Sequence, residues 1–166
     1  AGCVISYDPN YRASLWKSEE LAKKQMRSMV QYADLMKISE EETMLLTGES
    51  DYQKAAELLM QSGVKIVVVT LGKTGAYVQT RQGGQLVKGF QNKAVDATGA
   101  GDAFWGGFLF QFSRCEKAPE TITTEEAAKF ADFGNAVASV CVQKHGAIPA
   151  MPDMAQTLEQ LKEERL

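Results

Sequence analysis

The segment Val95 to Gly107, VDATGAGDAFWGG, sets two glycines, Gly99 and Gly101, directly before an acid, Asp102, and an apolar run. The first turn of a helix leaves backbone N–H groups without partners and carries the positive end of the helix dipole. Glycine lets such a backbone come close to an anion and adopt turns closed to other residues. Thr98-Gly99-Ala100-Gly101 therefore has the composition of an anion-binding nest at a helix start. Asp102, at the same mouth, could take a proton from a hydroxyl while the amides hold charge developing on a transferred phosphoryl group. The plain alternative is a Gly-rich turn with an acid placed for the dipole, and these five residues alone do not separate the two.

Two better-known phosphate motifs do not fit. Phe104 stands where a dinucleotide fingerprint needs its third glycine. Gly72-Lys73-Thr74 resembles the end of a P-loop, but Val67 stands where the first glycine belongs. Other chemistries have little material. The single histidine, His145, gives no basis for a histidine metal site or a Ser/His/Asp triad and reads as structural. Cys3, Cys115 and Cys141 are odd in number and far apart, so they read as buried or idle thiols in a reducing, cytoplasmic setting. A net charge of -3 offers no electrostatic reason for nucleic acid or an anionic membrane as partner.

The nest needs elements to hold it. Val4 to Tyr7 reads as a short buried strand ended by Asp8-Pro9-Asn10. Ser18 caps a predicted helix to about Tyr32, with Leu21, Met26, Met29 and Val30 inward. Asp34 to Ile38 is a second strand. Ser39 and Glu42 form an S-x-x-E capping box for a short helix that stops at Gly48. Ser50 is the expected cap of the next helix, with Ala55, Ala56, Leu58 and Leu59 inward and its end at Gly63. Lys65 to Thr70, KIVVVT, is apolar throughout, as a central parallel strand covered on both faces should be. Two strands flanking Gly83-Gly84 predict a hairpin. A helix should run from about Gly101 to Phe112. Thr124 is the expected cap of a long helix to about Lys144, and a last one spans about Asp153 to Glu164. The Met and Phe residues of these helices are expected in the core. Strands alternating with helices predict one α/β layered domain.

With these residues in view, the chain resembles the ribokinase/pfkB carbohydrate kinases, and among them the fructokinases. DATGAGDAFWGGFL looks like the second signature of that family. SYDPNYR followed by LW looks like its DPNxR…LW segment, KISEEE like K-x-[NS]-x-x-E, and VTLGKTGA like VTxGxxG. GNA with GAIPAMP matches the closing segment. The five motifs occur in family order over nearly the whole chain.

The resemblance implies a three-layer αβα ribokinase-like (Rossmann-like) domain, with a mainly parallel sheet, a β-hairpin, and one side incomplete. It implies ATP-dependent phosphorylation of a sugar hydroxyl, D-fructose to fructose 6-phosphate. Asp102 would be the general base, and Gly99, Ala100 and Gly101 the anion hole for the γ-phosphate. Thr70, Gly72, Gly75, Asn135 and Ser39 would line the nucleotide site, Asn135 near the adenine. Glu42 would act on magnesium through water, or remain only a capping residue. Asp96 and Thr98, with carbonyls near Gly146, would hold a monovalent cation, potassium; hard oxygens suit it. Arg12 would lie on the phosphate or substrate side. The implied cofactors are ATP, Mg2+ and K+.

The family's sugar-binding N-terminal half and its lid are absent, so residues 1–166 are expected to be the C-terminal, nucleotide-binding part of a kinase domain, inactive alone. An uncovered sheet edge then predicts self-association. Two other readings stay open. One is a different kinase of the family, acting on ribose, 2-keto-3-deoxygluconate or a nucleoside. The other is a non-catalytic nucleotide-binding module.

Overall fold

The structure is a computed structural model that describes residues 2–165, and these fall into two compact units. The first comprises the chain up to Thr70 with Tyr77–Gln85 and Ala118–Thr124; the second comprises Leu71–Ala76, Leu86–Lys117 and the chain from Glu125 onward.

The first unit is built on β1 (Ser6–Tyr7), α1 (Glu19–Val30), β2 (Leu35–Ser39), α2 (Glu40–Thr47), α3 (Tyr52–Gln61) and β3 (Ile66–Thr70). It also takes most of β4 (Gly75–Thr80) and the start of β5 (Gly83–Lys88). The sheet order is β1-β2-β3-β4-β5. β1 pairs with β2, and β2 with β3, in parallel, Leu35 opposite Ile66 and Ser39 opposite Thr70. Four residues join β3 to β4 and two join β4 to β5. A parallel return needs a crossover of a dozen residues or more, so these last strands run antiparallel. β2 and β3 supply the core with Leu35, Met36, Ile38 and Ile66 to Val69, all fully buried. β3 is the central parallel strand that the apolar KIVVVT run led one to expect.

Local signals placed most helix ends. The Ser18 hydroxyl accepts the Leu21 N–H at 3.2 Å, and Gly48 closes α2 in the left-handed region at φ 82°. Two side-chain expectations on α1 fail. Its buried stripe is Ala22, Met26 and Val30, one residue every four. Leu21 and Met29 lie about 100° around the helix from that stripe and are 38% and 46% exposed. Leu58 on α3 is likewise outward, and Phe110, Met44 and Met154 are exposed rather than in the core.

The cap of α3 is Asp51, not Ser50: its carboxylate accepts the Gln53 N–H at 2.9 Å and the Lys54 N–H at 3.3 Å. Asp51→Ala should therefore cost about 1 kcal/mol in urea unfolding, and Ser50→Ala close to nothing. Equal losses in the two variants would return the cap to Ser50.

The hairpin turn also moves. Arg81 and Gln82 make it, and Gly83 and Gly84 open β5. The Tyr77 side chain crosses Gly84: a β-carbon there would sit 1.7 Å from the Tyr77 hydroxyl oxygen. The glycine makes room for a neighbouring ring rather than for a bend.

The second unit is mainly α4 (Ala100–Arg114), α5 (Thr124–Cys141) and α6 (Met154–Gln160). Aromatic rings join α4 to α5: Phe108 meets Phe130 edge-on at 5.7 Å, and Phe110 stacks on Phe133 at 5.7 Å. α6 is shorter than expected, with Asp153 as N-cap to the Gln156 amide at 2.8 Å. α5 begins with Thr124 itself, in the first unit, where its hydroxyl bonds the Thr80 hydroxyl at 2.8 Å and donates to the Gly83 carbonyl at 3.1 Å.

Candidate functional site

In the first unit the candidate residues gather at the C-terminal ends of β2 and β3, where ligands of parallel α/β sheets bind. Ser39 and Thr70 end those strands opposite each other. Ser39 then starts α2, and the capping box is present. The Glu42 carboxylate, only 6% exposed, accepts the Ser39 N–H at 2.8 Å on Oε2. Its Oε1 accepts the Tyr11 N–H at 2.6 Å. Glu42 is thus both a cap and a fastener for a segment 31 residues away. Each of its oxygens keeps one lone pair, enough for a water but a modest donor set for a cation. Arg12 is exposed, its Nη1 donating to the Tyr11 carbonyl at 2.9 Å.

Beside these lies a pair that sequence reading missed. Lys37, in the middle of β2 and 5% exposed, sets its Nζ 2.9 Å from Asp8 Oδ2. The signal was there: a lysine inside an otherwise apolar strand needs a buried partner, and DPN supplies the acid.

In the second unit, Gly99 precedes α4 with φ 79°, a conformation other residues rarely adopt. A β-carbon at Gly99 would also meet that of Ala147 at 2.6 Å. The Ala100 N–H donates to the Ala97 carbonyl at 3.1 Å, and the Ala103 N–H to the Gly99 carbonyl at 2.8 Å. Between them, the amides of Gly101 and Asp102 have no carbonyl acceptor among the described residues. The Asp102 side chain is exposed, in the first turn of α4. Free donors and an accessible carboxylate therefore share one helix end. Burial pushes the thiol of Cys141 up, with the charges of Asp96 and Asp102 adding to it, so both carboxylates lie within electrostatic reach of that buried sulfur.

Asp96 ties two loops together. Its Oδ1 accepts the Thr98 N–H at 2.9 Å and its Oδ2 the Gly146 N–H at 2.9 Å. Asp96, Thr98 and Gly146 are thus brought together, with the Asp96 oxygens each already accepting an amide. His145 stands largely exposed, 4.0 Å from Asp96, rather than packed. The Gly146 amide first, then the Thr98 hydroxyl and amide, hold the Asp96 carboxyl at about 2 instead of 3.8. A carboxyl acidified by folding stabilises the fold fully above its unfolded value, and that contribution is lost as pH falls through the folded one. Asp96→Asn should lower stability at neutral pH and shrink the loss seen from about pH 4 down to about pH 2. Urea titrations at several pH values check this; an unchanged acid limb would mean these bonds do not persist in solution.

Asn135, 7% exposed in the middle of α5, donates through Nδ2 to the carbonyls of Val87 at 3.2 Å and Lys88 at 3.3 Å. That fastening of β5 to α5 explains a poor helix former at this position and leaves Oδ1 for other work. Gly72 and Gly75 flank a 3-10 turn in which the Leu71 N–H reaches the Gly75 carbonyl at 2.8 Å. Thr70 lies in the first unit and these glycines in the second. No helix among the described residues is long and apolar enough to cross a membrane.

Comparisons with known proteins agree with one another. The family model described as pfkB family carbohydrate kinase matches residues 1–154. Fructokinase-2 of Solanum habrochaites is 39% identical over 165 residues, which are 98% of this chain and 49% of that protein. A double mutant of the fructokinase of Vibrio cholerae O395, solved with fructose, ADP and potassium ion bound, superposes with a TM-score of 0.87 at 32% identity. The match covers 95% of this chain and 50% of that one. A ribokinase from Thermotoga maritima gives 0.75 at 31% identity, over 98% and 50% of the two chains. The chain spans about half the length of the curated relatives it matches.

Proposed function

The chain belongs to the pfkB family of carbohydrate kinases, and from that premise we propose that it is the C-terminal, nucleotide-binding part of an ATP-dependent sugar kinase, converting D-fructose to fructose 6-phosphate. The observation that carries this reading is the start of α4: amides without carbonyl partners beside the exposed carboxylate of Asp102. Phosphoryl transfer asks a protein for orientation, a place for the hydroxyl proton and stabilisation of spreading negative charge. Asp102 takes the proton. The Gly99–Gly101 turn takes the charge, chiefly through the amides of Gly101 and Asp102.

The remaining roles follow the chemistry of each donor. Glu42 faces magnesium through water on its spare lone pairs. Asp96 and Thr98 lie at the potassium site, Arg12 lies toward the phosphates, and Thr70, Ser39, Gly72, Gly75 and Asn135 border the nucleotide. The fructose and ADP in the Vibrio cholerae structure support a sugar and a nucleotide as ligands. The cytoplasm is the proposed compartment, in keeping with Cys3, Cys115 and Cys141, all free thiols.

A panel of sugars assayed with ATP and the full-length protein tests the substrate. Fructose should give the highest kcat/KM. If ribose, 2-keto-3-deoxygluconate or a nucleoside exceeds it, the kinase stands and the sugar assignment falls; if nothing is phosphorylated, a non-catalytic nucleotide-binding module is the better reading. The 166-residue chain alone should bind ATP weakly, turn over negligibly and self-associate. β1 is a two-residue edge strand, and Val4 and Ile5 before it are 43% and 46% exposed. A clean monomer in light scattering would count against that association.

A further inference from the structure

We propose that the Lys37–Asp8 ion pair and the Glu42 carboxylate form a clamp that fixes the backbone of residues 8–12 and so aims the Arg12 guanidinium; the inference rests on the phosphate-side role proposed for Arg12. Lys37, Asp8 and Glu42 are then positioning residues.

Residues 8–12 leave the sheet after a two-residue strand. They are tied by charge-assisted bonds, the strong kind. Asp8 Oδ2 receives Lys37 Nζ, and Asp8 Oδ1 accepts the Asn10 N–H at 3.1 Å. Asn10 turns the chain in the left-handed region, at φ 47°. The next N–H, of Tyr11, ends on Glu42. The Tyr11 carbonyl in turn accepts Arg12 Nη1. Arg12 thus follows a residue, Tyr11, whose backbone is engaged on both sides, at its N–H and at its C=O.

Stability alone is a weak reason for such an arrangement. Burying a lysine and an aspartate costs desolvation that an apolar pair of the same volume would avoid. What an ion pair adds is direction. Tyr7 reports how closely the parts lie: burial first, then the charges of Glu42 and Asp8, push its hydroxyl up. Lys37, in β2, and Glu42, in α2, sit five residues apart across one strand-to-helix junction, so two directly connected elements carry the two halves of the clamp.

The test uses the complete protein with ATP as probe and amide hydrogen exchange at Tyr11. In Glu42→Gln one oxygen must serve two amides, and in Lys37→Met Asp8 loses its partner. Because Lys37→Met leaves a buried carboxylate that could prevent folding, Asp8→Asn/Lys37→Met is made as well. Each should speed Tyr11 exchange by at least about tenfold, the loss of one such bond. Lys37→Met should weaken ATP binding several-fold, and this effect should vanish in an Arg12→Ala background, whereas a merely structural lysine would weaken binding in both. Unchanged Tyr11 exchange, or an equal effect of Lys37→Met with and without Arg12, overturns the inference. If Tyr11 exchange quickens but Arg12→Ala leaves ATP affinity intact, the clamp holds and the role of Arg12 in the proposed function falls.

Discussion

On the proposed function, Asp102→Asn in the complete protein is expected to lower kcat for sugar phosphorylation by about 10²- to 10⁴-fold, with little change in ATP affinity. Asparagine matches aspartate in size but cannot accept the hydroxyl proton. The neighbouring amides of Gly101 remain, so charge stabilisation on the phosphoryl group survives and nucleotide binding with it. The carboxylate is exposed, in the first turn of α4. Its removal therefore costs the fold no more than the helix-dipole term, about 0.3–1 kcal/mol. Steady-state kinetics with saturating sugar, beside an ATP titration of the same protein, separate the outcomes. A surviving kcat means another group takes the proton. A parallel collapse of ATP affinity means the carboxylate serves the nucleotide rather than the alcohol.

The second large effect is on the fold. Gly134→Leu should lower stability by about 3 kcal/mol, at the upper end of ordinary overpacking. A β-carbon at Gly134 would lie 2.7 Å from the Phe104 carbonyl oxygen and 3.0–3.1 Å from its ring. One at Gly107, on the facing helix, would lie 3.1 Å from the α-carbon of Gly134 and 2.9 Å from Val137 Cγ2. Backbone meets backbone here, and no flexible side chain can yield, so α4 and α5 must part. In a chain of this size each kcal/mol moves Tm by about 2–4 °C, so a fall of about 6–12 °C is expected. Gly106→Ala is the control. Nothing lies within 4 Å of its β-carbon position, and the helix gains propensity, so its Tm should rise slightly. Equal behaviour of the two variants would show that the two helices do not cross this closely in solution.

The damage should reach function too. α4 begins at the nest, and α5 carries Asn135 next to Gly134. A variant with its helices forced apart should lose kcat before it unfolds, because small displacements of a positioned group cost rate steeply.

Several features were legible in the residues because their causes are local. A glycine turn before an apolar helix, a serine three residues before a glutamate, and an unbroken run of β-branched residues each define their geometry within one or two turns of chain. These signals located β3, the start of α2, and the Gly99 turn that opens α4. The family motifs identified the family for the same reason, since each is a short segment with its own shape.

What the amino-acid sequence by itself determined, then, was the order of elements and the family to which they belong. Only the tertiary structure decided which partner each polar group takes. Glu42 turned out to hold Tyr11 as well as its own helix, Asn135 to hold the end of β5, Asp96 to join loops 50 residues apart, and Lys37 to meet Asp8. It also decided that Asp51 caps α3 in place of Ser50, and that Leu21, Met29 and Leu58 face outward. The physical reason is one of range. A polar group can be satisfied by many residues along the chain, and which distant one it meets depends on which of them the packed backbone brings within hydrogen-bond distance, about 3 Å.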